Sequence, residues 1–331
     1  RVEKEALYYK PVPVGKVRCV LCPHRCQISN KKAGICLARE NRDGVLYTKA
    51  YGGVTSYAED PVEKKPLYHY YPGSKLFSIG TWGCNFKCTF CQNWQISQVP
   101  DVPVEKFTPE EIVKIAKDSG SIGIAYTYNE PTVWYEYVMD ISKIAKEQGL
   151  KNVWVTNGYI SEDPLKEALP YIDAMNIDIK AASEAFYREV CNGQLEPVMR
   201  TLKMAHAAGV HVEATTLVIP TLNDKGDVGE IADWLSSVSP MIPLHLSRYY
   251  PHYKMDLDPT EVEVLKAARE TAMQKLKHVY LGNVPSDVGG SDTLCPSCNE
   301  IIIKRDFYSA QIVGMEGDKC SKCKTQIYGK Y

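Results

Sequence analysis

Eleven of the chain's twelve cysteines fall into three short clusters, and only Cys191 stands alone. The first set is Cys19, Cys22, Cys26 and Cys36, the second Cys84, Cys88 and Cys91, and the third Cys295, Cys298, Cys320 and Cys323. A secreted disulfide framework scatters its cysteines and suits much shorter chains. Clustering at gaps of two and three residues points instead to metal, and so to a reducing, cytoplasmic compartment. The fold must therefore present three thiolate-lined sites.

The middle set reads Cys84-Asn-Phe-Lys-Cys88-Thr-Phe-Cys91, a C-x3-C-x2-C run behind an apolar, strand-like stretch. Three soft ligands this close suit an iron–sulfur cluster. A 4Fe–4S cube needs four ligands, so three cysteines leave one iron open to a small molecule. The bland alternatives are three unrelated thiols, or a zinc site that borrows a distant fourth ligand. With the aromatic Phe90 before its last cysteine, the run resembles the radical S-adenosylmethionine (SAM) superfamily. That resemblance implies a cluster on Cys84, Cys88 and Cys91, SAM chelated at the open iron, and Phe90 near the adenine. It also implies an electron donor, reductive cleavage of SAM to a 5′-deoxyadenosyl radical, and hydrogen abstraction from a substrate.

At 331 residues, 44% apolar and 24% charged, the chain can hold one large domain with smaller attachments. Its 39 basic and 40 acidic side chains nearly cancel, so nothing points to nucleic acid or an anionic membrane. It has no apolar run of about 18 residues and no signal peptide. It begins at Arg1 rather than Met, so residues are expected to precede it.

Three segments follow. Residues 1–75 are rich in Cys, Pro, Gly and Tyr, with too thin a core to stand without a metal. Residues 76–284 alternate strand and helix, with strands expected at 76–81, 122–127, 153–156, 174–180, 210–219 and 244–249. Thr108-Pro109-Glu110-Glu111 reads as a capping box with proline at the first helical position, and Thr260 with Glu263 as another. Pro131 opens a helix, and a further one runs from Pro197 to Gly209. Repeated βα units predict a parallel sheet with right-handed crossovers. About six of them predict a partial (β/α)6 barrel, with a doubly wound sheet as the alternative. Residues 285–331 form a compact tail behind a Pro- and Gly-containing linker.

Polar residues collect at the expected strand ends. Asn176, Asp178 and Lys180 alternate with Met175, Ile177 and Ile179, so the polar three share one face, read as the barrel interior or an edge salt bridge. Tyr126-Thr-Tyr-Asn-Glu130-Pro131 stands where the superfamily has a Gly-Gly-Glu motif. The resemblance gives Glu130 the SAM amino group, although Tyr128 and Asn129 replace the glycines; the local alternative is that Glu130 only caps the next helix. Val155-Thr156-Asn157-Gly158 and Asp178-Ile179-Lys180 resemble segments of glycyl-radical-enzyme activases. That likeness implies that Thr156, Asn157, Asp178 and Lys180 line the SAM pocket. Glu213, Thr215 and Leu217 share a strand face. The basic, aromatic stretch from Arg248 to Met255 is read as a cover over substrate or as a packed surface loop.

Cys295-Pro-Ser-Cys298 and Cys320-Ser-Lys-Cys323 are paired knuckles of the zinc-ribbon kind, with zinc ahead of a single iron. Cys19-x2-Cys22-Pro-His24-Arg-Cys26-x9-Cys36 fits zinc or a second 4Fe–4S cluster, zinc being the first choice, with His24 a possible substitute ligand. Taken with Gly34-Ile-Cys36 and Leu281-Gly-Asn283, the three sets resemble the radical SAM proteins of the AmmeMemoRadiSam system. That resemblance implies Memo-like and Ammecr-type partner proteins and a relationship to pyruvate formate-lyase activating enzymes. The function expected is a radical SAM enzyme whose substrate, a small molecule or a protein, the sequence does not name. Its sharper form is a glycyl-radical-enzyme activase. A non-catalytic iron–sulfur and zinc scaffold or electron-transfer protein is the alternative from another class.

Overall fold

The computed structural model describes residues 4–100 and 102–331. Its centre is an eight-stranded sheet in sequential order. The strands are β1 (Ser56–Pro61), β2 (Lys75–Gly80), β3 (Gly123–Tyr126), β4 (Lys151–Thr156), β5 (Ala174–Asp178), β6 (His211–Val218), β7 (Leu244–Arg248) and β8 (Val279–Gly282). From β2 to β8 every neighbouring pair is parallel. Only β1, which comes from the N-terminal segment, runs antiparallel, along β2 from Ser56↔Gly80 to Pro61↔Lys75. All six expected strands are present. A seventh parallel strand, β8, extends the partial barrel. It is four residues long, and its apolar run was too short to read as a strand.

The sheet forms as it does because its strands are apolar on both faces, as helix-covered parallel strands must be. Ile124, Val153, Met175, Ile177, Val212, Leu244 and Leu246 are all fully buried. Helices α1 (Pro109–Asp118), α2 (Tyr135–Glu147), α3 (Glu162–Ala168), α4 (Leu195–Ala207), α5 (Lys225–Val238) and α6 (Val262–Met273) supply the crossovers. The α1 capping box is present in both directions: Glu111 N donates to Thr108 Oγ1 at 3.2 Å, and Thr108 N to Glu111 Oε2 at 2.7 Å. The second box does not form. The Thr260 hydroxyl donates to Val218 O at 2.6 Å, holding the end of β6 instead of capping α6.

The N-terminal segment adds two small antiparallel sheets, one of Tyr9–Val12, Lys16–Cys19 and Gln27–Ile28, the other of Lys4–Glu5, Val45–Thr48 and Arg39–Arg42. Arg39 anchors it to α2 through a buried ion pair with Glu136 at 3.0 Å. The C-terminal segment has its own small core of Cys295, Ile302, Ile303, Cys320 and Ile327. Arg305 docks it to the barrel, donating to Tyr68 O at 2.6 Å with its guanidinium 4.1 Å from the Tyr68 ring centroid. Among the described residues no helix is long and apolar enough to cross a membrane.

The loop between β1 and β2 enters the barrel from below and closes its floor. Glu213 of β6 accepts four hydrogen bonds there, from Tyr68 N (3.0 Å), His69 N (2.7 Å), His211 Nε2 (2.9 Å) and His245 Nε2 (2.7 Å). His69 donates through Nδ1 to Tyr328 O and accepts at Nε2 from the Tyr280 hydroxyl, both at 2.6 Å, which selects its tautomer. The chain's last residues seal this end. Tyr71 N donates to Lys330 O, and Lys330 N to His69 O.

Candidate active site

Strands β2 to β5 deliver their final residues to one rim, the C-terminal end of the barrel, where the loops rather than the sheet carry variable side chains. The loop after β2 holds Cys84, Cys88 and Cys91. Cys84 and Cys91 are partly exposed and Cys88 is buried. Phe86 N points at Cys84 Sγ from 3.3 Å and Asn157 Nδ2 from 3.7 Å, the N–H environment that suits a metal-bound thiolate. Glycine is required where this loop meets its neighbours: a Cβ at Gly83 would lie 2.3 Å from Cys36 O, and one at Gly193 would lie 2.2 Å from the Phe86 ring.

Asparagines clamp the loop. Asn129 accepts from Thr81 N at 2.9 Å and donates to Gly83 O at 2.9 Å. Asn85 donates to Tyr159 O at 2.7 Å and accepts from Asn157 Nδ2 at 2.9 Å. His24 Nε2 lies 2.7 Å from Asn85 O, which ties the N-terminal cysteine set to the cysteine loop. Sequence reading passed over Asn85, and it treated Asn129 only as a missing glycine. Tyr128 nonetheless keeps the left-handed conformation a glycine would favour (φ 68°). The strain is held by its hydroxyl on Asp60 at 2.7 Å and by Asn93 Nδ2 on its carbonyl at 2.8 Å.

Glu130 is buried and accepts four hydrogen bonds. Its Oε1 takes Thr132 N (3.0 Å), Thr132 Oγ1 (2.6 Å) and Thr156 Oγ1 (2.8 Å), and its Oε2 takes Asn157 N (2.8 Å). It therefore caps the turn Pro131–Trp134 and also pins the loop after β4 beside Cys84. Burial pushes its pKa up against these bonds. Thr156 and Asn157 are thus brought together with Glu130 and Cys84.

Asp178 and Lys180 form an ion pair at 2.7 Å on the same rim, their side chains 30% and 15% exposed. Burial alone would lower the Lys180 pKa, but Asp178 and Cys88 outweigh it and hold the ammonium charged. Its Nζ lies 5.9 Å from the Phe90 ring centroid. Lys180 therefore joins the cysteine loop to the end of β5. Asn176, two residues earlier, is buried lower in the barrel, donating to Pro66 O at 2.7 Å and accepting from Thr215 Oγ1 at 2.9 Å. It belongs to the floor and not to the rim.

Cys191 ends a widened helical turn, Tyr187–Cys191, that lies along the cysteine loop. Lys87 N donates to Cys191 O at 2.8 Å and Thr89 N to Val190 O at 3.1 Å. The thiol is buried beside Cys88, and its presence there, ahead of burial, raises the Cys88 pKa. On the outer side, the 248–255 stretch folds over the loop: Lys254 N donates to Thr89 O at 2.9 Å, and Tyr253 stacks on Trp94 with centroids 5.3 Å apart.

Residues 78–235 match the model of the radical SAM superfamily. The chain is 46% identical to an uncharacterized protein of Methanocaldococcus jannaschii over 335 residues, covering 98% of each. The chain belongs to the radical SAM superfamily. It is also 23% identical to the pyruvate formate-lyase-activating enzyme of Clostridium pasteurianum, over 58% of this chain and 86% of that one. A putative glycyl-radical enzyme activating enzyme of Methanocaldococcus jannaschii is 28% identical over 62% of this chain and 80% of that one. Streptococcus suis SuiB, solved bound to S-adenosylmethionine, shares the fold with a TM-score of 0.51 and 14% identity, over 67% of this chain and 53% of that one. The protein is accordingly a radical SAM enzyme, and the superfamily brings with it a 4Fe–4S cluster and SAM. The three thiols on one loop, the N–H groups aimed at Cys84 and the close-approach glycines fit such a cluster.

The third cysteine set is of another kind. Cys295, Cys298, Cys320 and Cys323 bring all four sulfurs within 4.8 Å of one another, with Cys295–Cys323 at 3.5 Å and Cys298–Cys320 at 3.7 Å. Four sulfurs about 2.3 Å from one tetrahedral ion lie about 3.8 Å apart, so this radical SAM protein carries a preformed single-ion site.

Proposed function

We propose that Cys84, Cys88 and Cys91 hold the 4Fe–4S cluster of a radical SAM enzyme that abstracts a hydrogen atom from its substrate, and that the rim residues bind SAM. The bound cluster and SAM together supply reductive cleavage to methionine and a 5′-deoxyadenosyl radical. In this reading residues 76–284 carry the chemistry, and 1–75 and 285–331 are metal-bearing attachments, the latter with zinc. Glu130 and Asn157 form the ledge beside Cys84 that receives the methionine amine, with Thr156 orienting the glutamate. Lys180, held charged by Asp178 and lying against Phe90, faces the carboxylate and adenine side. The single observation that carries the reading is the convergence of the Cys84–Cys91 loop, the Glu130–Asn157 bonds and the Asp178–Lys180 pair on one barrel rim.

The test is anaerobic reconstitution followed by incubation with SAM and a strong reductant, with 5′-deoxyadenosine measured. We expect product from the wild type and none above background from Cys88→Ala. Unchanged product from that variant would sink the assignment.

The names of two relatives favour a narrower reading, in which the substrate is a glycyl-radical enzyme. A glycyl doublet in the EPR spectrum of a partner protein, dependent on this enzyme and SAM, would establish it. Other relatives are GTP 3′,8-cyclases, which act on a nucleotide, so the reaction class stays broader than activation. The residues Cys19-Val-Leu-Cys22-Pro-His-Arg-Cys26 and Leu281-Gly-Asn283 support assignment to the AmmeMemoRadiSam system, and with it Memo-like and Ammecr-type proteins as candidate partners.

A further inference from the structure

We propose that Cys19, Cys22, Cys26 and Cys36 hold a second 4Fe–4S cluster, not a zinc ion, set against the Cys84–Cys91 loop. The argument starts from a contrast within one chain. The C-terminal four cysteines already sit at the separation one tetrahedral ion imposes. Among the described residues, the N-terminal four do not: no three of their sulfurs lie within 4.8 Å of one another. They are not dispersed either, because all four line a single cavity. A cube spreads its thiolates further apart than one ion does, since each cysteine binds its own iron. Four sulfurs around a common space, too far apart for a single ion, are the arrangement a cube needs.

The walls agree. Besides the cysteines the cavity is lined by Leu21, Ile28, Ile35 and Val133, with Gly34 against Cys26, and its polar members are Thr132 and Arg39, whose charge is paired with Glu136. Such a mainly apolar shell keeps water from an iron–sulfur cluster and tunes its potential, and one buried cation offsets part of the negative charge that four thiolates bring. Thiolate is also the ligand that iron–sulfur clusters select. His24, the one imidazole in the motif, is not among the residues that line the cavity and bonds through Nε2 to Asn85 O, so the donors facing the cavity are the four sulfurs.

The position supplies the purpose. Cys36 O touches Gly83, the residue before Cys84. Thr132 and Val133, next to Glu130, form part of the cavity wall. Lys87, within the C-x3-C-x2-C loop, lies in electrostatic reach of both Cys36 and Cys84. Cys22 and Cys26 are partly exposed while Cys19 and Cys36 are buried, so the site runs from the surface inward to the catalytic loop. A one-electron cofactor there would lie on the surface side of the site that must be reduced. Zinc, which has no redox chemistry, would gain nothing from the position.

The identity of the cluster does not depend on the activity proposed above; only its purpose rests on that reading. The experiment uses full-length protein carrying Cys84→Ala, Cys88→Ala and Cys91→Ala, reconstituted anaerobically and analysed for iron, acid-labile sulfide and zinc. The expected content is about four iron and about four sulfide per chain, one cube. Iron in the C-terminal site would bring no sulfide. Zinc in both four-cysteine sets, with no sulfide, would overturn the proposal and leave the radical SAM assignment untouched. Should the triple variant fail to fold, the wild type decides, with about eight sulfide expected against about four for a single cube. In the reduced wild type the EPR spectrum should be broadened by coupling between two adjacent paramagnets. It should narrow to one uncoupled signal in the triple variant.

Discussion

The floor and the rim of the barrel are both polar, yet they are built on opposite terms. On the floor, Glu213 is fully buried and receives four donors from two strands, β6 and β7, and the loop between β1 and β2. At the rim, Asp178 and Lys180 are paired with each other and remain partly open to solvent. A buried charge is tolerated only when its hydrogen-bonding capacity is met. The floor meets it internally, and that makes it a structural plug. The rim leaves capacity for a ligand. Charge inside a barrel is therefore not by itself a sign of chemistry: saturation sets the Asp178–Lys180 pair apart from Glu213, whereas Glu130 on the same rim is buried with four donors of its own and differs from Glu213 by its place beside Cys84.

The largest effect should follow from emptying the floor. Glu213→Leu strands two backbone N–H groups and two imidazoles in a dry core. The expected loss is about 3–5 kcal/mol, the usual result of breaking a buried ionic network from one side. Urea midpoints of folded protein measure it, and a loss below about 1 kcal/mol would erase the distinction between floor and rim.

Acid should act next, and also on the floor. His278 is buried with its ring 4.4 Å from that of His69, and burial holds its pKa down to about 4. His69 is likewise depressed, by burial first and by His278 second. A depressed histidine is neutral when folded but takes up a proton when unfolded, so stability is complete above about pH 6.5 and falls as pH drops toward 4. Each such group contributes a slope of about 1.4 kcal/mol per pH unit in that window. Glu213 adds a second loss at lower pH. Burial opposes its ionisation, but His211 and His245 outweigh burial and hold its pKa well below the usual value. Its contribution is present above about pH 4.3 and is lost as pH falls through the folded value. Urea midpoints between pH 8 and pH 4 should show the first slope, and His278→Leu should flatten it by one group's share. An unchanged slope in that variant would remove His278 from the account.

How far these two regions could be read in advance differs for a physical reason. The rim was legible where chemistry forces close spacing: three thiols in one loop, and Asp178 with Lys180 two apart where β5 ends. Parallel strands were legible because burial on both faces makes them apolar runs. The floor was not, because Glu213 meets Tyr68 and His69 across some 145 residues and no local pattern records that. β1 escaped notice as part of the sheet because it alternates exposed and half-buried residues and pairs from another segment. Thr260 misled because its hydroxyl had a distant partner in Val218. Asn85 and Asn129 were hidden for the same reason, since an asparagine in a loop reads as a turn until its partner is seen.

The smallest change in stability, and the sharpest test of the contrast, belongs to the rim. Asp178→Asn keeps the shape of the side chain and removes its charge. The pair is only partly exposed, so the cost to folding should be about 1–2 kcal/mol, between that of a surface pair and that of a buried network. Lys180 then loses the carboxylate that outweighs its burial, and its ammonium is less firmly held beside Phe90 and Cys88. In the SAM-cleavage assay the variant should make 5′-deoxyadenosine at least about tenfold more slowly, the worth of about 1.4 kcal/mol in the barrier. Most of that loss should appear as weaker SAM binding, read by titration of the reconstituted protein. If Asp178→Asn instead unfolds the protein as severely as Glu213→Leu, then the rim pair is structural too. Full activity with normal stability would leave the pair with neither role, and SAM would have to be held by Glu130 and Asn157 without it.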